Sequence, residues 1–339
     1  MEFPGGLAEL HTHLGGSVAS NDMWSLAHEQ GIALPVKDYW EFDQLVTVSD
    51  PRGVANLDAL DAIYHWTELI QSSPLAVERS VHGAIGGAYR SQGITTLELR
   101  FNPMKRNRGG ERDLDHIILA AIRGLDRAEL EYPQVRAGLI LMMDRTFADA
   151  QNAVIVEKAI RWAARGVVGV DIAGPRPHGE RYPYRALAPM VEDARAAGLG
   201  VTIHVGEEGG DHGVEEIAEV VDALRPDRIG HGILAVRDPG LMRELSARGI
   251  VLEICPTSNL LTKALSGPDE LRDTIHAFVE QEVPLTIATD GPEMMRTRLR
   301  DEFGLLLRIG ALDEDGLRES NARGHAASFV RAAEARTVV

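Results

Sequence analysis

The sequence predicts an α/β fold, a (β/α)8 barrel with extra helices inserted after the first strand. Three observations carry this. Eight short apolar runs recur along the chain, most of them apolar on both faces, as in strands covered on both sides of a parallel sheet. Longer stretches with the apolar spacing of amphipathic helices alternate with them. No run is followed by GxxxxGK[ST] or by a strand-to-helix GxGxxG, the phosphate loops of open doubly wound sheets, which leaves the closed barrel as the first choice.

The elements follow in order. LAELHTH (7–13) is the first strand. Residues 14–93 are too long for one plain crossover and are read as inserted helices. They contain Trp24, Trp40 and Trp66, which either form the core of those helices or wall a pocket. ITTLELRFNP (94–103) is the second strand, and KRNRGGERD (105–113) reads as a solvated loop. Leu114, Ile117, Ile118, Ala121, Ile122 and Leu125 then mark one face of a helix. RAGLILMM (136–143), VVGVDIAG (167–174) and LGVTIHVGE (199–207) are the third to fifth strands. Ile217, Val220, Val221 and Leu224 mark another helix face. RIGHGIL (228–234), IVLEICP (250–256) and PLTIATD (284–290) complete the eight. Gly93, Gly166, Gly198 and Gly249 each stand between a helical stretch and a strand, where a left-handed cap lets the chain reverse. The chain of 339 residues is taken as one barrel domain, 1–339, without linkers or low-complexity tracts.

Composition narrows the function. A net charge of −16 argues against nucleic acid and anionic membranes, where basic patches are needed, and favours a small-molecule substrate. No run of 18 apolar residues and no basic-then-apolar start are present, so neither a transmembrane helix nor a signal peptide is expected. The one cysteine, Cys255, cannot form an intrachain disulfide, which fits a cytoplasmic location. It also excludes zinc centres built on several cysteines. Oligomeric state is not written in the sequence.

In a barrel, chemistry sits at the C-terminal ends of the strands. The ionisable groups expected there are His11 and His13 (first strand), His204 and Glu207 (fifth), His231 (sixth) and Asp290 (eighth). His11 and His13 are two apart, so both point to one face. Several imidazoles in an apolar interior are costly unless something uses their lone pairs. Three histidines and a carboxylate, His11, His13, His204 and Asp290, suit one Zn2+ with a position left for water. Next to such an ion, His231 could orient the water or serve as a further ligand. Glu207 could face a substrate as a proton donor or be an acidic residue at a helix start.

Taken in order, ELHTHLGGS, LELRFNP, GVDIAG, TIHVGEEGG, RIGHGI, EICPTSNL and IATDGPEMM resemble the adenosine deaminase family of zinc aminohydrolases, and ESNARGHAASFV (319–330) is similar to its last helix. The resemblance implies that His11, His13, His204 and Asp290 bind the zinc. It implies that Glu207 protonates purine N1 while a metal-activated water attacks C6, and that His231 orients that water and moves its proton. Asp290 would also hydrogen-bond the water. The backbone N–H of Gly174 would meet purine N3, Cys255 and Asn259 would be structural, and the products would be a 6-oxopurine and ammonia.

Two positions depart from the family. Gly15 stands where members acting on adenosine carry an aspartate that bonds the ribose 5′-hydroxyl, and Gly15 and His13, at the end of the first strand, are both expected to contact the substrate. Gly291 stands where they carry a carboxylate at purine N7. Each loss of a buried partner costs ~1–3 kcal/mol, and both changes are expected to enlarge the pocket and remove negative charge from it. The expected substrate is therefore a 6-aminopurine nucleoside or close analogue other than optimally bound adenosine. A 5′-modified adenosine such as aminodeoxyfutalosine, or a non-purine amino-heterocycle, are the alternatives. A binding protein on a dead deaminase scaffold would have lost metal ligands, and none is lost.

Overall fold

The computed structural model describes residues 2–48, 57–107, 113–175, 181–208 and 212–330. Eight parallel strands, each paired with the next in chain order, form the barrel: β1 (Leu7–His13), β2 (Ile94–Phe101), β3 (Arg136–Asp144), β4 (Val167–Ala173), β5 (Gly200–Val205), β6 (Arg228–His231), β7 (Val251–Ile254) and β8 (Leu285–Ile287). A bridge between Thr12 and Asp290 joins β1 to the chain just beyond β8. There Asp290 N donates to His11 O at 2.9 Å and His13 N to Asp290 O at 2.7 Å. The ring therefore closes at the level of the histidines.

Helices α1 (Ser20–Glu29), α2 (Tyr39–Val46), α3 (Leu57–Ile70) and α4 (Pro74–Gln92) all lie between β1 and β2, as the length of that segment predicts. Outside the remaining strands run α5 (Asp115–Glu131), α6 (Asp149–Trp162), α7 (Ala188–Ala196), α8 (Gly213–Ala223), α9 (Pro239–Arg248), α10 (Pro256–Leu261), α11 (Pro268–Glu280), α12 (Leu299–Arg308) and α13 (Glu314–Ala327). The stripe Ile117, Ile118, Ala121, Ile122 and Leu125 is buried on α5, and Ile217, Val220 and Val221 are buried on α8. β3 is buried at every residue except Arg136. No helix among the described residues is long and apolar enough to cross a membrane.

Most of the strands end earlier than apolarity suggests, and local chemistry explains it. After Phe101 the side chain of Asn102 accepts from Met104 N and Lys105 N and turns the chain. β6 stops at His231 because His231 and Gly232 both take left-handed φ, 62° and 65°. Pro256 opens α10 directly after β7. Gly249, at φ 67°, provides the predicted left-handed cap after α9.

Trp24 and Trp66 pack against the core, and Trp40 is 74% exposed. None of the three lines the site cavity, so the core reading holds for the first two and neither reading for Trp40. The solvated-loop expectation for 105–113 fails at its start. Arg106 is buried and pairs with Gln71 and Glu68 from the α3 region, and Lys105 turns inward. Residues 108–112 lie outside the described residues.

The N-terminal mouth of the barrel is plugged. A Cβ at Gly200 would overlap the Phe329 ring, and one at Gly169 would stand 2.9 Å from it, so both strands need glycine there. The Arg228 guanidinium lies 3.6 Å above that ring. Glu98 accepts from Ser328 Oγ at 2.7 Å and from Phe329 N, and also pairs with Arg228.

Candidate active site

Four imidazoles gather where the barrel axis meets the C-terminal rim. The ring centroids of His11 and His204 are 4.5 Å apart, those of His11 and His231 4.9 Å, and those of His13 and His204 5.0 Å. His11 Nδ1 lies 2.7 Å from Glu253 Oε2, and His204 Nδ1 lies 2.9 Å from Asp171 Oδ2. With each Nδ1–H donating to a carboxylate, each Nε2 keeps its lone pair for the site. Arg100, fully buried, ties the two carboxylates together at 2.8 Å each. Thr202 and Arg228 bond the other oxygen of Glu253. Burial opposes the Glu253 charge, but Arg100 and Arg228 hold its pKa at about 2.

The three Nε2 atoms converge. His13 Nε2 is 3.0 Å from His204 Nε2 and 3.3 Å from Asp290 Oδ1. His11 Nε2 is 3.8 Å from the same oxygen and has no hydrogen-bond partner. The ligand atoms of His11, His13 and His204 all lie within 4.8 Å of one another. Burial above all holds His11 and His13 well below the ordinary histidine pKa, so both are neutral and offer lone pairs. Donors around a tetrahedral zinc stand roughly 3.4 Å apart, and this donor set fits such an ion.

Asp290 and His231 both take left-handed φ, 65° and 62°. Non-glycine residues rarely do so unless their surroundings hold them. Asp290 is held by the bridge to β1 and by Ser258 Oγ, 2.7 Å from its Oδ2. His231 is held by Asn259, whose amide donates to Nδ1 at 3.1 Å. That places the ring proton on Nε2, which has no partner and lies 3.4 Å from Glu207 Oε2 and 4.0 Å from Asp290 Oδ2. Asn259 thus touches the site directly as well as shaping it.

Glu207 follows β5 after Gly206, whose φ is 70°. Its Oε1 accepts from Arg145 Nη1 at 2.9 Å. The buried Arg145 also donates to Gly174 O and His204 O, both at 2.6 Å. Burial opposes the Glu207 charge, yet Arg145 foremost brings the pKa down to about 2. In the free site Glu207 is a carboxylate, not an acid.

A cavity opens beside these groups, with His13, Tyr64, Lys105, Asp144, Gly174 and Glu207 among its walls. Gly174 has φ 96°, and a Cβ there would stand 2.8 Å from the Asp144 carboxylate. The enlargement expected at Gly15 and Gly291 is absent, because Tyr64 from α3 fills the space. A Cβ at Gly15 would stand 2.9 Å from the Tyr64 ring, and one at Gly291 3.3 Å from its hydroxyl. Neither glycine is among the cavity walls. The Tyr64 hydroxyl is buried without a hydrogen-bond partner.

Sequence reasoning missed Asp171, Glu253, Arg100, Arg145, Tyr64, Lys105 and Asp144. The first three sit inside quoted apolar strands, GVDIAG, EICP and LELRF. A buried-face charge in such a strand was the available signal. Arg145 follows the third strand by one residue, and nothing in the sequence pairs it with Glu207.

The sequence model of the adenosine deaminase family matches residues 6–339. The adenosine deaminase of Vibrio vulnificus (strain CMCP6) is 29% identical over 306 residues, covering 90% of this chain and 88% of that protein. Among solved structures, the adenine deaminase of Arthrobacter aurescens superposes with a TM-score of 0.83 at 22% identity, covering 98% of this chain and 95% of that one. The N6-mAMP deaminase of Arabidopsis superposes with a TM-score of 0.80 at 24% identity, covering 96% and 94%. With a family match running from β1 to the end of the chain and a barrel shared with these deaminases, the chain belongs to the adenosine deaminase family.

Proposed function

We propose that this hydrolytic deaminase removes the 6-amino group of an aminopurine nucleoside or close analogue, and that His11, His13, His204 and Asp290 hold one divalent metal, zinc in the first place. The observation that supports it most is the convergence of three neutral Nε2 lone pairs and one carboxylate beside a cavity walled by Glu207 and Gly174. His204, Glu207 and His231 also lie within ligand distance of one another. In that trio Glu207 is already committed to Arg145, and Asn259 orients His231.

A metal held there would supply an activated water as nucleophile. The rest is done by side chains. The Gly174 N–H takes ring N3 and sets the ring so that C6 faces the histidines. Glu207 stands at N1. Because Arg145 keeps it ionised, the proton that ends on N1 comes from the attacking water and passes through the carboxylate. The His231 Nε2–H would hydrogen-bond the oxygen of that water, and Asp290 would accept from it. The second proton of the water leaves with the amino group as ammonia, and the ring keeps the oxygen.

Tyr64 fills the room that Gly15 was expected to provide, so nothing in the wall among the described residues favours a bulky 5′ group. Plain 6-aminopurine nucleosides are the first substrates to test. Elemental analysis of the purified protein should give one metal per chain, and a panel of 6-aminopurine nucleosides should release ammonia. No ammonia from any member would overturn the proposal.

A further inference from the structure

Asp290 and His231 owe side-chain partners to one short helix. Ser258, which bonds Asp290, and Asn259, which bonds His231, are neighbours on α10. α10 has six residues, too few for a helix to be stable on its own. The N–H groups of its first turn have no partner inside the helix. Pro256 brings no N–H, and the Cys255 side chain at the N-cap position makes no capping bond. The cap comes from another element. Thr257 N donates to Glu302 Oε2 on α12 at 3.0 Å.

Glu302 is fully buried, and its seat is fixed. Its Oε1 accepts from Thr297 Oγ1 at 2.6 Å, and Leu299 N, at the start of α12, donates to Gln92 Oε1 on α4 at 2.7 Å. Burial raises the Glu302 pKa to about 7, against the bonds from Thr297 and Thr257. Both bonds survive protonation, because a carboxyl group can accept from Thr257 N with one oxygen and donate to the Thr297 hydroxyl with the other. An acceptor at a helix N-terminus satisfies an orphan N–H and, when charged, meets the positive end of the helix dipole.

We propose, resting on the reading of the site above, that Glu302 is a positioning residue of the hydrolytic centre: it caps α10 from α12 and, through Ser258 and Asn259, fixes the Asp290 carboxylate and the Nε2–H tautomer of His231. Asp290 and His231 are the two non-glycine residues of the site with left-handed φ. Such backbones persist only where the surroundings over-determine them. Here both lean on consecutive residues of one turn, and one buried carboxyl group holds the start of that turn. Fraying of the turn would release the Asp290 and His231 side chains together. Glu302 touches neither of them, so its effect on the chemistry passes entirely through α10.

The test compares the zinc-loaded wild type with Glu302→Gln, Glu302→Met, Thr297→Val and the double variant Cys255→Ser/Glu302→Met. The readouts are thermal unfolding, metal content, kcat and KM for the best nucleoside, and the nitrogen NMR shifts of the His231 ring, which report its tautomer. Glu302→Gln keeps both bonds, its carbonyl accepting from Thr257 N and its amide donating to Thr297 Oγ1, and should stay close to wild type. Glu302→Met should lose about tenfold to a hundredfold in kcat at full metal loading, with KM little changed and the His231 ring in mixed tautomers. Thr297→Val should lose stability yet keep kcat and the wild-type ring, because the Thr257 bond remains. Cys255→Ser places a capping hydroxyl at the start of α10 and should restore kcat and the tautomer to Glu302→Met. A wild-type ring protonated on Nδ1 overturns the proposal, as does a Glu302→Met variant with unchanged kcat and ring shifts. Equal losses in Thr297→Val and Glu302→Met also overturn it, since the carboxyl group would then be a core contact alone. If Glu302→Met does not fold, the double variant carries the test, and its failure to fold or to regain the wild-type ring overturns the proposal. If wild type turns over no aminopurine, the substrate reading fails, and the His231 ring shifts still decide the role of Glu302.

Discussion

Replacing Arg145 with methionine removes the cation that keeps Glu207 ionised. Glu207 is lowered from 4.5 to about 2, which corresponds to about 3 kcal/mol of preference for the charged form as an order of magnitude. Without Arg145 the largest lowering influence is gone, His204 and His231 still lower the Glu207 pKa and burial still raises it, so the pKa should rise from about 2. In the proposed mechanism the free enzyme carries Glu207 as carboxylate, because the water brings the protons. The acid limb of kcat/KM should therefore move upward in Arg145→Met. Near pH 7 the variant should also lose about a hundredfold, since Arg145 positions the Gly174 and His204 carbonyls. The assay is kcat/KM for the best nucleoside from pH 4 to 9, with metal content measured at each pH so that metal loss is not mistaken for titration. An acid limb that stays in place while the variant remains folded and metal-loaded would refute the reasoning.

Glu207→Gln should keep its metal and lose about a hundredfold to ten-thousandfold in kcat, whereas His204→Ala should lose both metal and activity. Parallel elemental and kinetic analysis separates the two, and full activity in the glutamine variant sinks the assignment. Glu253→Gln takes away the acceptor that orients His11 and should weaken metal binding about tenfold to a hundredfold in a chelator competition. Gly15→Asp should destabilise the fold by about 1–3 kcal/mol through overlap with Tyr64 and Thr67. Adding Tyr64→Ala should restore most of the melting temperature. In the metal-free protein, Glu207 and Glu253 both sit at about 2 when folded and at 4.5 as free carboxylates. Their contribution to stability is full above pH 4.5 and lost as pH falls toward 2, and urea midpoints across that window check the sign.

The strands were legible because each is covered on both faces and so is written in apolar letters. The proposed metal donors were legible because His11, His13, His204 and Asp290 interrupt those letters near strand ends. What holds the donors was not legible. Glu253 reaches His11 across the barrel, and Arg145 reaches Glu207 from two strands away, so neither partner is near in sequence. Tyr64 was hidden for a different reason. The two glycines were read as vacancies, but the space beside a small residue belongs to whatever packs there, and here an inserted helix supplies a ring. Lys105 was hidden by its basic neighbours, which made a buried wall read as a loop.

The chain of charges along the barrel axis has a consequence for how this molecule can change. From Phe329 and Ser328 through Glu98, Arg228 and Glu253 to His11, and through Arg100 and Asp171 to His204, each link bonds the next. Removing one leaves a buried ion unmatched, at a cost of about 3–5 kcal/mol. The hydrolytic centre is thus inherited whole or not at all. Tyr64 stands outside that chain, and Lys105 and Asp144 form a separate pair that can change without disturbing it. Descendants of this barrel can wander in what they deaminate while remaining unable to wander in how.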